Sequence, residues 1–194
     1  MSAVAPVCTR ASSSKFMGFY GQDMTAVLIS AGKSYLPAGY PMPEFTIERV
    51  REQTFPEFLY LLDCLAGYER IDPPDEGARL RLKDDIFLDP PRFEGYIGRL
   101  DDEPVGFVTF YFTYSTFLAR PTLFLEDLFM LEQYRGQGLG KRLFDFCRNE
   151  ARVRGCGRMD WMVLTWNKPS IHFYEKIGAT RLGWYTYRLE REQL

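Results

Sequence analysis

Apolar residues recur along the chain in two patterns, which from about residue 45 onward divide it into strands and helices. Short apolar runs bounded by turn residues predict strands at 46–50, 93–100, 104–114, 123–131, 159–165 and 184–189. Apolar residues spaced three and four positions apart predict helices at 54–67, 78–86, 141–154 and 167–177. This mixture indicates one α/β (α+β) domain in which helices flank a mixed central sheet.

Capping and turn residues support several of these boundaries. Thr54 can cap the first predicted helix, and Asn167 can cap the last one. Gly155 and Gly178 follow the ends of two helices, where glycine adopts the left-handed backbone conformation at little cost. Residues 68–76, which include two consecutive prolines, are expected to form a loop.

The central strand at 123–131 leads into a turn that contains glycines at 136, 138 and 140, and a helix follows. A helix N-terminus binds phosphate, because its first N–H groups are unpaired and its dipole is positive there. Glycines allow the backbone to approach phosphate oxygens closely. The last interval differs from the dinucleotide fingerprint, and Arg142 stands where a Walker sequence needs Ser or Thr. A merely flexible connection is the plain alternative.

Composition and charge exclude several classes of protein. The 194 residues carry a net charge of −2, which argues against a nucleic-acid-binding protein. No apolar run approaches the ~18 residues of a membrane span, so no membrane association is expected. The cysteines lack Cys-x-x-Cys spacing and His172 is the single histidine, so we expect no metal site, reduced cysteines and a cytoplasmic location.

Residues 1–44 differ from the rest of the chain. They are rich in Ser, Gly, Pro and Ala and hold only two acidic residues, Asp23 and Glu44. They lack the pattern of a secretory signal, although low acidity with Ser and Arg is also typical of an organelle transit peptide. We expect a poorly ordered extension in which 24–29 could form a strand and 37–43 a linker.

Four further motifs extend the glycine-rich turn into a recognisable set. The run Gln133-Tyr-Arg-Gly-Gln-Gly-Leu-Gly140 resembles the acetyl-CoA pyrophosphate loop of the GNAT acetyltransferases. Leu125-Glu-Asp-Leu-Phe129 is similar to the spermidine/spermine acetyltransferase branch of that family. So are Phe110-Tyr-Phe-Thr-Tyr114, Trp166-Asn-Lys-Pro-Ser170 and Phe173-Tyr-Glu-Lys-Ile-Gly-Ala179.

This resemblance implies a GNAT domain over residues 45–194, with acetyl-CoA held in a splay between central strands. It also implies a homodimer and transfer without a metal. The backbone of 128–130 would bind the pantetheine arm and offer an oxyanion donor, and the glycine turn would bind the pyrophosphate. The residues implied for the coenzyme are Leu128, Phe129, Met130, Arg135, Gly136, Gln137, Gly138, Leu139, Gly140, Lys141, Asn167 and Ser170.

A carboxylate is the natural base for acetyl transfer to an amine in this chain. A primary amine with a pKa near ~10 is almost wholly protonated at neutral pH, so a proton acceptor is useful. Glu126 has apolar neighbours that are expected to raise its pKa by desolvation, and the resemblance assigns it the role of base, directly or through water. The alternative is that either Glu126 or Asp127 simply faces solvent, because side chains alternate along a strand.

Tyr174 is the acid that the resemblance implies, since a tyrosine at this place in the motif protonates the departing thiolate. Ser170 lies one helical turn before it on the same face. Core packing is the alternative for Tyr174, and simple helix capping is the alternative for Asn167. Cys147 lies on the apolar stripe of its helix and is expected to be structural rather than an acyl carrier, so transfer should be direct.

The acceptor is the least determined part. Tyr68 and Glu69 match a Tyr-Glu pair of the polyamine groove in the related branch, and Asp127 could also bind the amine. The prolines at 73–74 and the short segment after Ala179 depart from that branch. A polyamine-like amine is the first expectation, and these two departures leave the chain length and charge of the substrate open. Thialysine-like amino acids and a protein lysine or N-terminus remain open, as does a non-catalytic acetyl-CoA-binding module.

Overall fold

The computed structural model describes residues 43–194, which form two compact units. The larger unit ends at Asp160, and the smaller one comprises Trp161–Leu194. The expectations for an N-terminal extension, a strand at 24–29 and a linker at 37–43 fall on residues outside this range, apart from its first two positions. In the described part, no helix is both long enough and apolar enough to cross a membrane.

A five-stranded sheet in the order β1-β2-β3-β4-β5 forms the centre of the fold. Strands β1 to β4 pair antiparallel with their neighbours, and β5 lies beside β4. The strands are β1 Phe45–Arg49, β2 Glu94–Leu100, β3 Glu103–Ser115, β4 Arg120–Met130 and β5 Arg158–Trp161. Because β4 and β5 are joined through a helix rather than a hairpin, the connection is of the crossover type that parallel neighbours need.

Four α-helices connect or follow these strands. They are α1 Phe55–Glu69, α2 Glu76–Ile86, α3 Leu139–Val153 and α4 Lys168–Lys176. Asp75 caps α2 by accepting a hydrogen bond from the Ala78 N–H at 2.7 Å. Asn167 caps α4 as predicted, by accepting from the Ser170 N–H at 3.3 Å.

One face of the sheet packs against α1. Phe58 and Leu61 of α1 meet Ile97, Phe107 and Phe129 of three adjacent strands, and all five side chains are buried. The rings of Phe58 and Phe107 meet edge to face at 5.4 Å between centroids. Each such buried side chain contributes about 1.5–3 kcal/mol of hydrophobic stabilisation.

The opposite face of the sheet packs against α3. The Tyr96 ring lies 4.7 Å from the Phe146 ring of this helix. A Cβ atom added to Gly98 would lie 3.2 Å from Leu143, so the helix approaches the sheet where β2 lacks a side chain. Cys147 is buried on the same helix and is a free thiol, consistent with the predicted structural role.

Most predicted elements are confirmed within one or two residues, and four expectations are wrong. The helix predicted to stop before residue 68 continues to Glu69, so Tyr68 and Glu69 lie on its last turn instead of in a loop. The strand at 159–165 ends at Trp161. Cys64 is disulfide-bonded, whereas reduced cysteines were expected.

The fourth wrong expectation is the strand at 184–189, which the structure leaves without regular hydrogen bonding. Trp184, Tyr185 and Tyr187 are 83%, 88% and 91% exposed. Aromatic residues have a high strand propensity only where a neighbouring strand supplies hydrogen bonds and buried contacts. The sequence pattern at 184–189 therefore indicates residues that favour a strand, but it does not indicate whether a partner strand is present.

Candidate active site

A cavity of about 360 Å³ lies between α1, α2 and the sheet face that carries the core. Its walls are mainly apolar, but two carboxylates and one guanidinium also line it. A small, mostly apolar cavity with a few converging polar groups is the usual form of a small-molecule site. The lining residues are Phe58, Leu62, Leu82, Arg92, Phe93, Thr109, Tyr111, Glu126 and Asp127.

A β-bulge brings the two carboxylates to the same cavity. Thr109 pairs with Asp127, and the next residue of β3, Phe110, pairs with Leu125, so Glu126 is the extra residue of β4. Consecutive strand residues normally point to opposite faces, but a bulge re-aims one of them. Both carboxylates line the cavity, and Glu126 is at the same time exposed to solvent.

Asp127 is the more buried of the two carboxylates. The Thr109 hydroxyl donates a hydrogen bond to its Oδ2. Burial is the largest cause that raises the pKa of Asp127 from 3.8 to about 6. The hydrogen bond from Thr109 opposes this rise in pKa, and the nearby charges of Glu126 and Glu69 add to it. Burial also raises the pKa of Glu69 on the last turn of α1. A concentration of negative charge at this end of the cavity is suited to a cation.

Glu126 differs from the expectation based on its apolar neighbours, because it is exposed. Desolvation instead affects Asp127. Glu126 is the unpaired residue of the bulge, and its side chain is exposed. Tyr111 lines the cavity with Glu126, and the pKa of Tyr111 is raised by burial together with the charge and hydrogen-bonding of Glu126. The carboxylate of Glu126 itself remains accessible.

The glycine-rich turn leads directly into the N-terminus of α3. Gly138 is the N-cap residue at φ +82°, and Gly136 lies at φ +76°, so both positions use backbone conformations that favour glycine. The first turn of α3 holds no acidic residue, and Gly138 offers no capping side chain. Leu139, Gly140 and Lys141 therefore begin the helix with N–H groups that intrahelical bonds do not satisfy.

The side chains of this turn are partly ordered by neighbours. The Gln137 amide donates to the Gln133 carbonyl at 3.1 Å, and Lys141 forms an ion pair with Asp145. Gly140 approaches Met130, whose Cγ would lie 3.5 Å from an added Cβ. The turn is thereby packed against the end of β4.

Arg135 connects this turn with the end of α1. Its Nε donates to the Met130 carbonyl at 2.9 Å, and its guanidinium lies 4.5 Å from the centroid of the Tyr68 ring. The same Tyr68 ring lies 6.5 Å from that of Phe129. Tyr68, predicted to bind substrate, therefore packs beside the predicted phosphate turn, and the next residue, Glu69, acts electrostatically on Asp127.

In the smaller unit, α4 holds the remaining predicted residues. Asn167 is buried at its N-cap, and Ser170 lies in its first turn. The Tyr174 ring lies 5.0 Å from that of Trp161 and 5.2 Å from that of Phe173. Aromatic packing of this kind orients the tyrosine within its own unit.

Three polar cavity residues were not predicted from the sequence: Arg92, Thr109 and Tyr111. Thr109 and Tyr111 share the face of Asp127, because residue 109 pairs with 127 and side chains repeat every second residue. That register depends on the bulge, which no local sequence pattern predicts. Arg92 lies outside the strands, so the alternation of side chains along a strand could not have predicted that it lines the cavity.

The family model of the acetyltransferase (GNAT) family matches residues 50–179, which include every element from α1 to α4. Thialysine N-epsilon-acetyltransferase of Mus musculus is 29% identical over 165 residues, covering 79% of this chain and 96% of that protein. Spermidine/spermine N(1)-acetyltransferase-like protein 1 of Homo sapiens is 32% identical over 164 residues, or 79% of this chain and 24% of that protein.

A solved structure shows the same fold at lower sequence identity. Aminoglycoside N-acetyltransferase AAC(6')-Iy, in complex with CoA, is 18% identical with a TM-score of 0.64 and covers 81% of this chain. This similarity supports the fold alone, while the family match extends over more than half of the sequence. The chain therefore belongs to the GNAT family and is an acetyltransferase.

Proposed function

We propose that this enzyme transfers the acetyl group of acetyl-CoA directly to the primary amine of a small substrate. The observation that carries the proposal is the position of Glu126 and Asp127. Both line one cavity, and both lie on the strand that leads into the glycine-rich turn. An acceptor site and a donor site would then be built on one continuous segment of chain.

The donor side rests on the N-terminus of α3. Gly136, Gly138 and Gly140 let the backbone of residues 135–141 surround the pyrophosphate of acetyl-CoA, and the helix dipole adds attraction. The β4 strand has eleven residues and β5 has four, so part of β4 extends beyond its neighbour. The backbone of Leu128, Phe129 and Met130 is proposed to bind the pantetheine arm.

The acceptor side rests on three carboxylates. Asp127 and Glu69 attract the ammonium form of the acceptor to the end of the cavity. Glu126, which is accessible and lies beside Tyr111, removes its proton directly or through water. The neutral nitrogen then attacks the thioester carbonyl carbon, so a C–N bond forms and the C–S bond breaks.

The departing thiolate requires a proton, and Tyr174 is the residue proposed to supply it. Its ring is packed by Trp161 and Phe173, which limits its motion. Asn167 and Ser170 at the start of the same helix are proposed to contact the pantetheine arm. Capping by Asn167 is compatible with this role, since its side chain carries an amide as well as the bonded oxygen.

Two classes of acceptor fit this site. A polyamine-like amine suits the concentration of carboxylates, in keeping with the motifs shared with the spermidine/spermine branch. An amino acid with a side-chain amine suits the likeness to thialysine N-epsilon-acetyltransferase. A homodimer is proposed as the assembly, supported by the exposed aromatic side chains of Trp184, Tyr185 and Tyr187.

Substitution of the two proposed proton-transfer residues tests the mechanism. Glu126→Gln and Tyr174→Phe should each lower turnover by ~10²–10⁴, because general acid and base catalysis contribute on that order. Binding of acetyl-CoA, measured by titration calorimetry, should stay near normal in both variants. Glu103→Gln, at an exposed carboxylate at the start of β3, is the matched control. Unchanged turnover in either variant would remove the role proposed for that residue.

A non-catalytic acetyl-CoA-binding module is the contrasting function. It would bind acetyl-CoA through the same glycine-rich turn but would release no coenzyme A thiol with any amine. The two carboxylates at the cavity favour the enzyme, because a module that only binds the coenzyme has no use for them.

A further inference from the structure

One charged residue of the cavity wall has no role in the proposed mechanism, and it belongs to an ion pair. Arg92 lines the cavity, and its Nε lies 2.8 Å from Oδ1 of Asp85. The backbone of the two residues is also joined, since the Arg92 N–H donates to the Asp85 carbonyl at 3.1 Å. Two opposite charges are therefore fixed beside each other where the chain passes from α2 to β2.

Stability does not account for this pair. The Arg92 side chain is 71% exposed and the Asp85 side chain 36% exposed, and exposed ion pairs contribute only about 0–1 kcal/mol. A guanidinium has five N–H donors, of which Nε supplies one to Asp85. The two terminal nitrogens of Arg92 can therefore form a forked pair of hydrogen bonds with a ligand carboxylate.

The charges around the cavity are distributed along its length. Gly95 pairs with Thr109, which pairs with Asp127, so β2 and β4 lie two strand spacings apart at this level. Arg92 is three residues before Gly95. Residues 92 and 93 precede β2, and both Arg92 and Asp127 line the cavity. Since both side chains reach into the cavity, a short aliphatic chain can span the space between their charged groups.

The wall between these charged ends is apolar. The wall consists of Phe93, which immediately precedes β2, Leu62 of α1 and Leu82 of α2, and each is half-buried. Such a wall favours methylene groups and offers no partner for a charge in the middle of a ligand. The complete arrangement is a carboxylate pair, an apolar wall and a second site with charges of both signs.

We propose that the Asp85–Arg92 pair binds the zwitterionic head of a diamino acid and thereby selects this acceptor over polyamines. This inference rests on the proposed function. Arg92 binds the α-carboxylate, Asp85 faces the α-ammonium, and the side-chain amine lies at Glu126 and Asp127. In the reaction the side-chain nitrogen gains the acetyl group, its proton passes to Glu126, and the thiolate of the coenzyme receives a proton.

The same arrangement disfavours a polyamine. A polyamine bound with one amine at Asp127 brings a second ammonium toward the Arg92 guanidinium, and like charges in contact are unfavourable. It also leaves the Arg92 donors without the carboxylate that a diamino acid supplies. Selectivity would therefore combine an attractive contact for one class with a repulsive contact for the other.

Two pairs of acceptors that differ only in the α-carboxylate test the proposal. Ornithine is compared with putrescine, and lysine with cadaverine, by kcat/KM for acetyl transfer in the presence of saturating acetyl-CoA. The wild-type enzyme should prefer the amino acid of each pair. Arg92→Gln should reduce that preference by about tenfold to a hundredfold, the loss expected for a charge-assisted contact. Arg92→Glu should invert it.

Arg81→Glu is the matched control, because Arg81 is an exposed arginine of α2 that does not line the cavity. It should leave the preference unchanged. A wild-type enzyme that acetylates diamines as well as or better than the corresponding amino acids would overturn the selectivity while leaving the proposed function standing. So would an unchanged preference in both Arg92 variants. Absence of transfer to every amine would overturn the proposed function and this inference with it.

Discussion

At the scale of single residues, the site depends on one extra position in a strand. Without the bulge, alternation would direct Glu126 and Asp127 to opposite faces of β4. With it, Asp127 is half-buried and accepts a hydrogen bond from Thr109, while Glu126 is exposed beside Tyr111. Two adjacent residues of the same chemical type thus acquire different environments, which allows one to hold a cation and the other to move a proton.

The raised pKa of Asp127 makes folding stability depend on pH. Between its ordinary pKa of 3.8 and its folded pKa of about 6, the folded protein holds a proton that the unfolded chain has released. Stability contributed by this group is therefore lost as pH rises from about 4 to about 6, by up to about 3 kcal/mol. Asp127→Asn should remove this loss and so gain stability relative to wild type between pH 4 and pH 7.

Urea unfolding at a series of pH values measures this difference. Asp72→Asn, at an exposed loop position, is the control because it removes one carboxylate away from the cavity. A wild-type-minus-variant difference that stays flat from pH 4 to pH 7 for Asp127→Asn would contradict the burial assigned to this carboxylate.

At the scale of elements, the start of α3 is the feature that the sequence predicted best. The glycines, the strand before them and the helix after them are local features, so their order could be interpreted without knowing the tertiary structure. The caps at Asn167 and the glycine at 138 follow from similar local chemistry. The bulge at Glu126 and the missing strand at 184–189 depend on partner strands, so single-chain patterns could not report them.

Two glycines at opposite ends of α3 permit a matched test of the donor site. Gly138 and Gly155 lie at φ +82° and +68°, and nothing lies within 4 Å of an added Cβ at either position. Alanine should therefore introduce similar backbone strain at both, about 1–2 kcal/mol. Gly138→Ala should weaken binding of acetyl-CoA by about fivefold to thirtyfold, if the strain falls on the bound turn.

Gly155→Ala should lose comparable stability and bind acetyl-CoA as the wild type does. Titration calorimetry gives the two affinities, and thermal unfolding gives the two stabilities. Equal weakening of coenzyme binding in both variants would show that general destabilisation, rather than the phosphate turn, accounts for the effect.

At the scale of the whole molecule, the GNAT family assignment and the arrangement of the cavity give a consistent account. The antiparallel strands β1 to β4 support the proposed acceptor cavity on the face covered by α1 and α2, while β4 leads to the helix that we propose binds the donor. The last turn of α1 contacts both regions, since Tyr68 packs on Arg135 and Glu69 acts on Asp127. The last turn of α1 therefore links the proposed donor and acceptor sites within the larger unit.

The most direct test of the central claim is the release of coenzyme A thiol from acetyl-CoA across a panel of amines. The panel should contain spermidine, spermine, putrescine, ornithine, lysine, thialysine and a histone-tail peptide, with mass spectrometry of each product. The account predicts thiol release that depends on a small primary amine, with one acetyl group added to that amine. Binding of acetyl-CoA without thiol release for any member of the panel would contradict it and favour the non-catalytic module.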